Sequence, residues 1–195
     1  MNYVASAIVV AALCCFWAGA LLRFRCAHRR TAANHTVRLS GMLATIVVAS
    51  GLPTLPSVLQ SKQWFGLAGI LAAIALFAWA WRSSRMRHFG VALAPDVPEG
   101  LVEHGAFAFV RHPFYVSYFL GWGCMPLLVG TVPAIAACAS MVVQYAAAAV
   151  VEERMLRASN LASAHADYRS RVGMFVPRLV SKAPSLRSHR ATESA

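Results

Sequence analysis

Five apolar blocks of bilayer-spanning length dominate this chain: Tyr3 to Leu22, Val37 to Leu59, Trp64 to Trp81, Pro113 to Val129 and Val132 to Val151. Lipid offers the backbone no hydrogen-bond partner, so a segment that enters it must satisfy its own amides, which a helix does. About 20 residues cross the hydrocarbon core, and about 17 is the lower limit. All five blocks fall within that range, and of the last two Pro113 to Val129 is at its short end. Only two residues separate those two, which predicts a tight helical hairpin. Charged residues make up 13% of the chain, against about 25% in a typical soluble domain. The expected fold is an all-α integral membrane protein with five transmembrane helices. A cytoplasmic connector and a C-terminal helix would close a pocket at one end.

The 18 Lys and Arg residues outnumber the 7 Asp and Glu residues, for a net charge of +11. Such an excess could serve nucleic acid, but its distribution argues for a membrane. With Met1 outside, every Lys and Arg except Lys62 falls on one side of the bilayer: Arg23, Arg25, Arg29, Arg30 and Arg38, then Arg82, Arg85, Arg87 and Arg111, then the C-terminal tail. That asymmetry marks a cytoplasmic face, in a bacterial inner membrane, and attracts anionic headgroups at about 1 kcal/mol per residue. No basic face with interleaved aromatics stands apart from the loops, so no nucleic-acid partner is expected. The first block lacks a basic region before it and a small-residue cleavage pattern after it, and reads as a retained span. The five cysteines form no CxxC pair and no metal-ligand spacing, so neither a disulfide framework nor a metal site is expected.

Three regions follow. Residues 1–81 form a bundle of three spans whose interiors carry almost no ionisable groups, with Pro53 and Pro56 bending or ending the second span. Residues 82–178 hold the chemistry: a connector broken by Pro95, Pro98, Gly100 and Gly105, the hairpin, and an amphipathic helix over 152–172. Residues 179–195, rich in Ser and Arg, form a basic tail expected to be disordered. Gly121 and Gly123 lie inside a span, where glycine serves helix contact rather than a dinucleotide fingerprint.

Two charged clusters mark the candidate site: Arg111-His112-Pro113-Phe114-Tyr115 and Glu152-Glu153. Both lie at the ends of apolar blocks, where ionisable groups are costly and signal function. Pro113 suits the first helical position and keeps His112 out of helical geometry. Arg111 and His112 should therefore stand at the mouth of the fourth span. The fifth span returns to the same side, so the hairpin brings the glutamates to them, while Ala146 to Ala149 allow close helix approach. The pocket has one cationic and one anionic wall. A zwitterionic, partly aromatic ligand such as S-adenosylmethionine fits it, with Phe107, Phe109, Phe114 and Tyr115 offering faces to adenine and to the sulfonium. Read one at a time, these residues have ordinary explanations as interfacial anchors, solvated carboxylates and aromatic-belt residues.

The pattern Leu101-Val102, His104-Gly105, Phe107, Arg111-His112-Pro113, Tyr115, then Glu152-Glu153 and Leu156, then Tyr168-Arg169 and Val172 before Pro177, resembles the isoprenylcysteine carboxyl methyltransferases and the related phospholipid methyltransferases. The resemblance covers roughly residues 95–178. It implies S-adenosylmethionine enclosed by the last two spans and the cytoplasmic segments, with Leu101, Val102, Phe107, His112, Pro113, Tyr115 and Glu152 lining the cofactor pocket. A lipophilic acceptor would enter from the bilayer. Three positions depart from the family pattern: Ser117 stands where glycine is usual, Ala106 where proline is common, and Ala148 where prenylcysteine enzymes carry an arginine for the substrate carboxylate.

Methyl transfer is an in-line displacement, for which alignment and exclusion of water supply most of the rate. An acceptor carboxylate is already ionised and needs no base. An amine or thiol must lose a proton, which makes Glu153 or His112 a candidate base, while Arg111 would orient an anionic group. Two other classes remain: a membrane sterol-type reductase using NADPH, and a non-catalytic membrane scaffold.

Overall fold

The computed structural model describes residues 2–19, 32–84 and 100–178. Six helices account for most of them: α1 (Tyr3–Ala18), α2 (Ala32–Gly51), α3 (Ser61–Ser83), α4 (Pro113–Val129), α5 (Val132–Arg157) and α6 (Ala162–Arg171). No strand occurs among the described residues, which hold a single isolated β-bridge between Val110 and Gly173. Three helices, α2, α3 and α5, are long and apolar enough to cross a membrane, and α1 and α4 are shorter apolar helices. The first basic loop and the C-terminal tail lie outside the described residues, as does most of the connector.

Local chemistry sets the boundaries. The Asn2 side chain accepts from the Ala5 amide at 3.0 Å and caps α1. Helix α2 stops at Gly51, eight residues before the end of its apolar block. A short 3-10 turn, Leu52–Thr54, carries Pro53, and Pro53 and Pro56 leave no donors with which to continue. Pro113 opens α4 and Gly130, at φ 65°, closes it. Thr131 then caps α5, so the hairpin has a two-residue link, as the sequence predicts.

At its far end α5 departs from expectation, running six residues past Val151 to Arg157. Glu152 and Glu153 are therefore helical, and no single helix spans 152–172. Instead Ala158 to Leu161 form a turn, in which the Ser159 hydroxyl both donates to Leu156 O and accepts from the Leu161 amide. Ser and Asn favour such local bonds over continued helix.

The bundle packs around an aromatic core of Phe16, Phe77, Phe114 and Tyr118, with Tyr118 stacked on Tyr145 at 4.6 Å. Gly121 lets the Phe16 ring lie against α4, where any Cβ would collide with it, whereas Gly123 faces open space. Polar groups inside the helices pair with one another: Ser40 Oγ donates to Gln144 Oε1 at 2.7 Å, and Trp17 Nε1 to Thr45 Oγ1 at 3.1 Å. Meanwhile Leu39, Met42, Leu43 and Ile46 make an exposed apolar stripe on α2, the outward face expected of a helix bathed in lipid.

Gly105 fixes the connector to α3. Its φ of 60° suits glycine, and a Cβ there would collide with Ser83 Oγ. The same hydroxyl accepts the Ala106 amide at 3.2 Å, a bond that a proline at this position could not make. Replacing Gly105 by Ala is expected to cost about 1–2 kcal/mol from backbone strain alone, read as a lower Tm in detergent. Adding Ser83→Ala should not rescue it, because the Ser83 Cβ still crowds the new methyl group and the Ala106 amide loses its acceptor.

Candidate active site

The hairpin does bring the two charged clusters together, and it gives the adjacent glutamates opposite surroundings. Glu153 is buried, its side chain 3% exposed. Arg111 grips both its oxygens, Nε to Oε1 at 2.9 Å and Nη2 to Oε2 at 3.1 Å. The remaining Arg111 nitrogen, Nη1, donates to the Val172 carbonyl. Bidentate pairs of this kind are the strongest ionic contacts available to a side chain. Glu152, one residue earlier, keeps 36% of its side chain exposed and interacts with the Tyr115 hydroxyl.

His112 joins the two carboxylates. Its Nε2 lies 3.0 Å from Glu153 Oε1 and its Nδ1 3.9 Å from Glu152 Oε2. Because a carboxylate only accepts, Nε2 must carry the proton toward Glu153. Tyr115 and Phe175 flank the ring, at 5.5 and 6.0 Å between centroids.

The end of the described chain forms a strap over this junction. Gly173 O accepts the Arg111 amide at 2.8 Å, and Met174 O accepts the His112 amide at 3.2 Å. Helix α6 is anchored by Tyr168, whose hydroxyl donates to Phe107 O at 2.6 Å, and by Arg171, paired with Glu103 at 2.8 Å. Burial pushes the Tyr168 hydroxyl above its ordinary range, keeping it a donor.

Of the residues singled out from sequence, Arg111, His112, Tyr115, Glu152 and Glu153 meet directly. Phe107 and Pro113 are buried, as is Val102, while Leu101 is half-buried. Phe107 and Phe114 pack edge to face. Phe109 points away, 56% exposed, with its ring tilted against Trp79. Ser117 is fully buried and returns its hydroxyl to Phe114 O within α4.

One buried residue gave no signal on its own. His165 of α6 is 1% exposed, and neither ring nitrogen has a hydrogen-bond partner among the described residues. Nε2 comes closest, at 3.5 Å from Glu153 Oε1. The spacing of His165, Tyr168 and Arg169 as i, i+3 and i+4 puts them on one face of α6, which is the pattern that could have pointed to it. Burial holds His165 below the ordinary histidine range, Glu153 opposing that shift and Arg111 and Arg169 adding to it.

In comparison with known proteins, residues 62–159 match the family model of the phospholipid methyltransferases. That stretch is half of the chain and runs from α3 through the end of α5, so it contains both charged clusters. The chain belongs to the phospholipid methyltransferase family, and membership implies methyltransferase activity in general. No curated protein and no solved structure matches it.

Two outcomes test this geometry. Glu153→Gln removes one partner of a buried pair and should cost about 3–5 kcal/mol, seen as a large fall in Tm, while Glu152→Gln should leave Tm nearly unchanged. The second concerns pH. The folded state holds His165 neutral, so stability is full above the unfolded-state value of about 6.5 and is lost as pH falls below it. Thermal unfolding from about pH 7 to about pH 5 should show a smaller loss for His165→Gln than for the parent chain.

Proposed function

We propose that this protein is an S-adenosylmethionine-dependent methyltransferase of the cytoplasmic membrane interface, acting on a lipophilic acceptor. The observation that carries the reading is the open Glu152, set beside His112 and Tyr115 and backed by aromatic rings. Its partly exposed carboxylate suits the ribose hydroxyls or a cationic group of the cofactor, and the rings suit adenine and sulfonium. Leu101, Val102, Phe107 and Pro113 would complete the pocket wall. When bound, S-adenosylmethionine supplies a methyl group on a positively charged sulfur.

The chain's own residues bind, orient and exclude water. We assign Arg111 and Glu153 to positioning: they lock each other and hold the strap, so His112 and Glu152 face the pocket from fixed positions. Glu153 would have to leave Arg111 to serve as a base. With an amine or thiol acceptor, Glu152 or His112 is the better-sited group to take the proton. A carboxylate acceptor needs no base, and orientation alone carries the rate. The five-span reading belongs to the same proposal, with α1 and α4, of 16 and 17 residues, as its shorter members. Hydrophobic mismatch of this size is met by local thinning of the bilayer.

Isothermal titration in detergent tests the proposal with S-adenosylmethionine, its demethylated product and NADPH. Heat is expected from the first two and not from the third. A folded sample giving no heat with either of the first two overturns the reading, and heat from NADPH alone turns it toward a reductase. Glu152→Gln should weaken cofactor binding by about tenfold or more with the fold intact; unchanged affinity removes Glu152 from the site. Labelled methyl transfer into extracted lipids against small thiols then identifies the acceptor.

A further inference from the structure

Four acidic side chains fall among the described residues, and each already has partners. Glu103 and Asp167 both engage Arg171, at 2.8 and 2.9 Å. Glu153 is taken by Arg111 and His112, and Glu152 stands against His112 and Tyr115. The α5–α6 corner nevertheless carries three more arginines, Arg154, Arg157 and Arg169. Arg157 Nη2 and Arg169 Nε both lean on Glu153 Oε2, at 3.9 and 3.5 Å. Neither makes a well-formed hydrogen bond at that range, and the same oxygen already accepts from Arg111 at 3.1 Å. Their side chains stay 53% and 39% exposed. Two guanidinium forks thus converge on one carboxylate whose single charge is already matched, and no other acceptor takes their donors among the described residues.

Depth adds to the argument. At 1.5 Å per residue the 26 residues of α5 extend about 39 Å, longer than the hydrocarbon core of about 30 Å. Its last turn, with Arg154 and Arg157, therefore stands at headgroup level, where lipid phosphates lie. We propose that Arg157 and Arg169, supported by Arg154, form a seat for the phosphate of an anionic phospholipid in the adjoining leaflet. Guanidinium groups match phosphate oxygens in geometry as well as charge. The seat lies across Glu153 from the His112–Glu152 pocket, so it is a second lipid contact and does not depend on methyl transfer.

The test is native mass spectrometry of the full chain in detergent, offered phosphatidylglycerol and phosphatidylcholine in equal amounts. The parent chain should retain phosphatidylglycerol over phosphatidylcholine by about tenfold, and Arg157→Gln/Arg169→Gln should lose most of that preference. Arg157→Lys/Arg169→Lys, which keeps the charge, should restore much of it and guards against a folding defect. Arg38→Gln/Arg82→Gln removes equal charge from the same side of the membrane and should change little. An unchanged preference in the glutamine pair, or an equal loss in the Arg38/Arg82 control, overturns the seat. So does displacement of the lipid by inorganic phosphate, which would make this a site for a soluble anion.

Discussion

The Arg111–Glu153 pair ties three separate parts of the chain into one junction. Arg111 belongs to the segment before α4, Glu153 to the last turns of α5, and the Val172 carbonyl, which takes the third guanidinium nitrogen, to the strap after α6. Each charge is costly to bury and nearly worthless alone, so the pair is stable only when all three segments are in register. Its value lies in specifying an arrangement more than in adding net stability. His112 inherits its orientation from that junction, because its ring is held by Glu153 on one edge and by backbone bonding to Met174 behind it.

Neighbouring residues of one type can do unlike work when a helix turns them to different sides. Successive residues on an α-helix point about 100° apart, so Glu152 and Glu153 cannot share one environment. Glu153 turns toward Arg111, His165 and Arg169, and Glu152 toward Tyr115 and the open side. The sequence marks the pair as costly without saying which member is structural. That division depends on the rotation of α5 about its own axis, which is set by packing of Ala148 and Ala149 against the bundle.

Much of the architecture was legible in advance, because apolar length and proline position are local signals. The hairpin of α4 and α5, the end of α2 near Pro53, and the meeting of Arg111 and His112 with the glutamates all follow from them. The extent of α5 did not, because hydropathy stops at Val151 whereas helical propensity continues through Glu, Arg, Met and Leu. The break at Ser159 was missed for a related reason: amphipathic spacing ran on across a turn that side-chain hydrogen bonding imposes. His165 was invisible as a single residue, and its importance comes only from the helical face it shares with Tyr168 and from its approach to Glu153. The family match identifies the lineage, and the geometry shows how this chain meets its departures. Ala106, for instance, frees an amide that Ser83 takes up.

The order in which the chain is made adds a consequence in time. Arg111 is synthesised 42 residues before Glu153 and 61 before Val172. At about 5–20 residues per second, its carboxylate partner follows after about 2–8 s. For that interval the guanidinium ahead of α4 has no internal counter-charge and must remain solvated. Helices α3 and α4 can therefore settle early, but the junction closes last, when the strap arrives, and an incomplete chain carries the charged clusters without their lock.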